Sequence, residues 1–278
     1  MQKILVTTDF SSNSKAGIRF AIQLASQTPC ELIFYNVIEL TDINVWTDRS
    51  YTDFSGINIA VRQDKLRKFI MAIYRQSGKV PGKVDFVIDS RSEIDTSIIA
   101  FAEKSNIDII CMSTRGGGII SKFMGTNASR LITASPVPLL VVPHSYRSKA
   151  LQSILYASDL EKIDVELKIV AAFATAFNAN ISVYNYDAFI DEDGVRNKQK
   201  QIAAKYKSDK VSFHFEKFYI EHSLLHQLQD AIQKSKPSIV TMFTKQNRDW
   251  FERLFLSSKT AELGFDTTTP MLVFRKKK

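Results

Sequence analysis

Apolar, largely β-branched residues run from Ile4 to Thr8 with no polar alternation, the pattern of a strand buried on both faces. Residues 1–9 therefore predict a first strand. The period then changes to a helical one through about Gln27, with Ile18, Ala21, Ile22 and Ala25 on one side and Ser11 or Ser12 as cap. Glu31 to Ile38 reads as the second strand. Residues 40–60 are polar, with scattered aromatics and no period. They predict a mobile loop lying as a lid over the strand carboxyl ends. A helix over 61–77 follows, then a strand from Val84 to Ile88. Ser92 caps a helix through Lys104 that turns Ile94, Ile98, Ile99 and Ala102 inward. A strand from Ile107 to Met112, a glycine-rich turn, a short helix ending near Ser135 and a strand from Leu139 to Val142 complete the first half. Strands alternating with helices predict a parallel α/β sheet.

The pattern then starts again. Ile154 to Leu160 repeats Ile4 to Phe10, Ile181 to Asn185 repeats the second strand, and Val211 to Phe215 alternates as a third. Ile169 to Phe177 and Leu224 to Ile232 are helical. Ser238 to Phe243 repeats the fourth strand, and Pro270 to Phe274 repeats Pro138 to Val142. The joint falls in the polar stretch from His144 to Lys149. Two domains are expected, 1–146 and 150–278, the second shorter mainly because it lacks the 40–60 segment.

Charge and composition narrow the function classes. The chain of 278 residues carries a net charge of +8, with a pI near 9.3. The lysines are dispersed, and the one dense run, Arg275 to Lys278, reads as a solvated tail. A nucleic-acid partner is not expected. No apolar run approaches the roughly 20 residues of a membrane span, and no leader pattern precedes the first strand. Cys30 and Cys111 are too few for a disulfide framework and read as inert thiols, which suits a cytoplasmic protein.

Candidate chemistry centres on residues 112–127. Gly116, Gly117 and Gly118 remove Cβ atoms where backbone N–H groups could close on a phosphate. Gly125, Thr126 and Asn127 open a helix, whose free N–H groups and dipole favour an anion. An ordinary flexible loop is the competing reading. Asp9 stands at the end of the first strand, where doubly wound sheets bind ligands; capping of the next helix is its alternative. Asp159 matches Asp9 but lacks a glycine loop, and capping is preferred there. Ser257 and Ser258 take the place of Gly125 and Thr126, and bulky residues from Phe243 onward replace the glycine cluster. His222 and His226 have a metal-compatible spacing beside Glu221, but no third ligand is near in sequence, so a solvated helix face is preferred. Trp250, Phe251, Leu254 and Phe255 have the spacing of a packed helix. No P-loop and no nucleophile elbow is present.

The segment from Met112 to Thr126, with Lys3 to Asp9 and Phe34 to Glu39, resembles the universal stress protein family. Its nucleotide-binding members carry Gly-x2-Gly-x9-Gly-(Ser/Thr) between the fourth strand and the last helix. Aligned on Met112, Ser113 stands where the family has its first glycine, Gly116 matches the second, and the spacer to Gly125 holds eight residues, Gly117 to Met124. Aligned on strict spacing, Met112 and Arg115 replace both upstream glycines. The resemblance implies two tandem doubly wound, mostly parallel five-stranded sheets and a non-enzymatic stress regulator or sensor. It implies ATP, or another adenine nucleotide, bound in the first half alone. Thr8 and Asp9 would face the nucleoside and Val37 the base, a plain core valine being the alternative reading of Val37. Met112, Ser113, Gly116, Gly125, Thr126 and Asn127 would line the phosphate side. Family members associate through the last strand of each domain. The halves are therefore expected to pair as a pseudo-dimer, with homodimerisation as a further expectation, through Val137 to Val142 and Met271 to Phe274. A ligand-free interaction module and a weak ATPase are the alternatives.

Overall fold

The computed structural model describes residues 2–39, 48–91, 93–114, 131–132, 134–206, 208–219, 224–244 and 268–276, with the backbone alone at 39, 48–58, 91 and 224–225. The chain divides into two compact units, one ending at Ser148 and the other beginning at Lys149.

The first unit contains β1 (Gln2–Thr7), α1 (Lys15–Ala25), β2 (Cys30–Glu39), α2 (Asp48–Ser77), β3 (Lys83–Arg91), α3 (Ile94–Lys104), β4 (Ile109–Ser113) and β5 (Leu139–Val142). The strands are parallel in the order β3-β2-β1-β4-β5. Ile4, Leu5 and Val6 of the central strand are wholly buried, which is why that stretch could be apolar without alternation. Ile18, Phe20, Ala21, Ile22 and Leu24 of α1 and Leu66, Ile70, Ile73 and Tyr74 of α2 are buried with it. Each such large side chain contributes roughly 1.5–3 kcal/mol on leaving water.

The second unit contains β6 (Ser153–Ala157), α4 (Ile163–Ala176), β7 (Asn180–Asp187), α5 (Asp193–Lys205), β8 (Val211–Lys217), α6 (Leu224–Ser235), β9 (Ile239–Thr244) and β10 (Met271–Arg275). Its strands are parallel in the order β10-β9-β6-β7-β8. Register aligns the two copies: Ile4 opposes Ile109 as Ile154 opposes Ile239. Backbone detail repeats as well. Phe10 and Leu160 take φ values of 63° and 62°, and Asn106 and Lys236 take 50° and 46°. A bulky side chain in that region is uncommon; meeting it at matched positions marks turns that the fold itself imposes.

Three expectations need correction. Residues 48–60 are not a loop but the first part of the 30-residue helix α2, while 40–47 lie outside the described residues. Thr, Asn and Gly residues there are weak helix formers, Gly56 costing about 1 kcal/mol relative to Ala. Extending an already nucleated helix costs far less than starting one, and the strongly packed part from Leu66 to Tyr74 supplies the nucleus. The residue at the start of α1 is Ser14, whose side chain does not cap the helix; Ser11 caps the turn just before it, its Oγ accepting the Ser14 N–H (3.2 Å); Ser92 lies outside the described residues. Helix α5 escaped the sequence reading because it lacks an apolar stripe. It faces inward through Gln199, a polar residue only 4% exposed.

Candidate functional site

The strand order reverses beside β1, so the carboxyl ends of β1 and β4 flank the position where doubly wound sheets receive ligands. At the end of β1 the chain makes a hydrogen-bonded turn. The Phe10 N–H donates to Thr8 Oγ1 (3.1 Å) and the Ser11 N–H to Asp9 Oδ1 (3.0 Å). Thr8 is buried, its Oγ1 2.8 Å from Ser14 Oγ, while Asp9 is exposed. Asn36, at the end of β2, is buried and donates Nδ2–H to the Thr8 carbonyl (2.7 Å). Arg62 of α2 donates Nε–H to Asn36 Oδ1 (2.9 Å). This asparagine, which sequence reasoning passed over, holds the turn; its signal was the Tyr-Asn pair at the end of both second strands, Tyr35–Asn36 and Tyr184–Asn185.

The other sequence-chosen residues fall unevenly. Val37 is half-buried in β2, in register with Asp89. Met112 and Ser113 are half-buried at the end of β4. Ser113 is committed to α1: its Oγ accepts the Gly17 N–H (2.7 Å) and donates to the Ser14 carbonyl (3.1 Å). It thus satisfies one of the free N–H groups of the first helical turn from another strand. Gly17 permits the approach, since a Cβ there would lie 2.8 Å from Ser113 Oγ and 3.3 Å from the Met112 carbonyl carbon. Gly116, Gly125, Thr126 and Asn127, with the rest of the glycine loop, lie outside the described residues, as do Ser257, Ser258 and Trp250 to Phe255.

Positive charge gathers around this end of β1. The Lys65 ammonium lies 5.1 Å and the Arg62 guanidinium 5.6 Å from the Phe10 ring centre, and Lys15 lies 5.6 Å from that of Phe69. The two rings meet edge to face at 5.6 Å.

In the second unit the turn is the same and its surroundings are not. Leu160 N–H donates to Ser158 Oγ (3.1 Å), Glu161 N–H to Asp159 Oδ1 (3.0 Å), and Asn185 Nδ2–H to the Ser158 carbonyl (3.0 Å). Gln199 takes the part of Arg62, 3.2 Å from Asn185 Oδ1. Phe243 occupies the register position of Ser113 and stacks on Phe274 (4.9 Å), with its edge to Tyr156 (5.8 Å). Lys276 does not belong to a solvated tail. It is buried and pairs with Asp159, with Glu161 (3.0 Å) and with Glu166 (3.8 Å). Lys277 and Lys278 lie outside the described residues. At Lys276 the tail reading failed because a lysine's partners are remote in sequence, whereas a charge run is visible locally; Arg275 is exposed.

The remaining candidates offer little chemistry. Cys30 and Cys111 are free and buried; burial pushes the Cys30 thiol up to about 11 and raises Cys111 further. His226 is exposed on α6, while His222 and Glu221 lie outside the described residues. His214 stacks on Tyr184 at 4.4 Å. Among the described residues no group of three His, Cys, Asp or Glu could hold a metal. No described helix is long and apolar enough to cross a membrane.

Two parallel sheets, each with its strand order reversing beside the first strand and an aspartate at that strand's end, define a tandem doubly wound α/β protein. The model of the universal stress protein family matches residues 1–143, and the chain belongs to that family. No curated protein matches it. Among solved structures, a universal stress protein from Archaeoglobus fulgidus is 17% identical with a TM-score of 0.68, over 99% of this chain and 97% of that one. A putative universal stress protein from Pseudomonas aeruginosa is 16% identical with a TM-score of 0.62, over 99% and 93%. These two are likenesses of fold, and they extend it to the second unit.

Proposed function

We propose that the first unit is the adenine-nucleotide-binding half of a non-enzymatic, cytoplasmic stress regulator, and that the second unit binds no nucleotide. The observation that carries this reading is charge at matched places. At the end of β1, Lys15, Arg62 and Lys65 flank the single carboxylate Asp9, whereas at the end of β6 three carboxylates, Asp159, Glu161 and Glu166, surround one lysine, Lys276. A polyphosphate is attracted to the first and repelled by the second. Of the residues chosen for the ligand, Asp9 and Val37 suit a nucleoside best: Asp9 is exposed at the switch point and Val37 is half-buried beside it in β2. Thr8 and Ser113 serve the turn and α1 first. In this reading Gly116, Gly125, Thr126 and Asn127 hold phosphate oxygens with backbone N–H groups and a hydroxyl.

Ligand binding acts by biasing the chain's arrangement or its partners, not by turnover. Association through β5 and β10 belongs to the same proposal; a first half, 1–146, that stays monomeric at high concentration contradicts it.

One observation favours a second reading, a ligand-free interaction module: the polar atoms of Thr8 and Ser113 have local partners in the protein. Titration calorimetry with ATP, with phosphate release followed in parallel, separates the readings. Heat with one ATP per chain and no phosphate release supports the proposal. Absence of heat favours the interaction module, and sustained release favours a weak ATPase.

A further inference from the structure

We propose that the three carboxylates at the carboxyl end of β6 form a primary-ammonium site, which the chain fills with its own Lys276, latching shut the second unit's ligand position. An ammonium has three donors, and three carboxylates converge on this one. Lys276 Nζ donates to Asp159 Oδ2 and to Glu161 Oε2 (3.0 Å), and faces Glu166 Oε1 at 3.8 Å. The lysine side chain is 5% exposed, while those of Asp159 and Glu161 are 50% and 54% exposed. The charge therefore lies inside a mouth whose two lips are wet. Burying a lysine is costly unless its partners are well placed, so the arrangement is not that of a loose surface pair.

The floor of the site is built independently of the lysine. Glu166 is buried; its Oε2 accepts the Tyr156 hydroxyl at 2.6 Å, and its Oε1 has no hydrogen-bond partner among the described residues. That oxygen is a buried acceptor aimed at the cation. Burial alone would pull the Lys276 pKa down, and the hydrogen bonds to Asp159 and Glu161 outweigh it, so the group is held above its ordinary value. The first unit shares only the aspartate, Asp9 for Asp159; Val6, Ser11, Ala16 and His144 stand at the positions of Tyr156, Glu161, Glu166 and Lys276. Four differences at one place form a unit, and the unit selects a cation where the first half is surrounded by cations. The inference stands whether or not the first unit binds nucleotide.

Withdrawal of Lys276 leaves a cradle suited to a primary alkylammonium. The test uses the full chain with Lys276→Ala, melted with and without millimolar n-butylammonium, and with n-butanol and tetramethylammonium as controls. The variant is expected to melt more than about 5 °C below wild type. Butylammonium should recover at least roughly half of that loss, and the two controls none. Adding Glu166→Gln should remove the recovery. If Lys276→Ala does not fold, Lys276→Met keeps the stem's bulk; it is expected to melt low, and adding Glu166→Gln to raise it. Melting of the variants within about 1 °C of wild type, or recovery as large with butanol or tetramethylammonium, overturns the proposal.

Discussion

Thr8, Asp9 and Phe10 at the end of β1 form the turn that Ser158, Asp159 and Leu160 form at the end of β6. Each turn has a residue in the left-handed region, a hydroxyl and an aspartate that each accept a backbone N–H, and a buried asparagine on the carbonyl before the aspartate. Around the first lie Lys15, Arg62 and Lys65; around the second lie three carboxylates and the one lysine that pairs with them. The comparison separates two roles that an aspartate at a strand end can serve. Its local hydrogen bond belongs to the fold and is present in both units, so the aspartate alone does not report a ligand. The surrounding charge differs, and that is where function can differ.

The largest expected effect comes from removing the second unit's cation. Lys276→Met leaves a buried carboxylate without its counter-charge and should cost about 3–5 kcal/mol in urea unfolding. The sign of its pH dependence follows from a folded pKa above the ordinary 10.5. The stability is fully present below the unfolded value and lost as pH rises through the folded one. The gap between wild type and variant should hold from about pH 7 to about pH 10 and shrink above that. A gap that widens in alkali would contradict the pairing.

Next comes the packing difference behind the turns. Leu167 occupies the place of Gly17, as Phe243 occupies that of Ser113. Leu167→Ala should destabilise by about 2–5 kcal/mol through the cavity it leaves. Gly17→Ala should cost about 1–3 kcal/mol, because its Cβ meets Ser113 Oγ at 2.8 Å. Thermal melts that show no loss for Gly17→Ala would mean that α1 slides freely on β4.

Asn36→Ala and Asn185→Ala test the shared part. Each strands a buried carbonyl and should cost about 1–3 kcal/mol. Similar losses in both, measured by denaturant titration, sharpen the comparison; a loss confined to Asn36 would break it.

The smallest effect is the most selective. Arg62→Gln copies Gln199, which makes the same hydrogen bond in the second unit. Stability should stay within about 0.5 kcal/mol. ATP affinity should fall roughly two- to five-fold, the worth of one partly screened charge. An unchanged affinity would remove Arg62 from the ligand's surroundings.

What was legible in the sequence was periodic. Unbroken apolar strands such as Ile4 to Thr8 and Leu139 to Val142, the inward face of α1 and the repeat itself followed from spacing, because burial acts on every turn or every residue of an element. Helix α5 was not legible, since a buried amide, Gln199, does the work that an apolar stripe usually does. Nor was the early part of α2, whose poor helix formers are carried by the helix that follows. Near the proposed site, the position of Asp9 at a strand end was legible, but the commitment of Ser113 to α1 was not. A serine replacing a glycine reads as a lost backbone approach until the facing Gly17 is seen to take up the space. Lys276 was missed for a related reason: its partners are more than a hundred residues away in the chain.

Calorimetric titration of the full chain with ATP tests the central claim most directly, run on wild type and on Gly125→Val. The account predicts one site per chain in wild type, and none in Gly125→Val, where a branched side chain would obstruct the proposed phosphate position. Two sites per chain, or binding untouched by Gly125→Val, would contradict it.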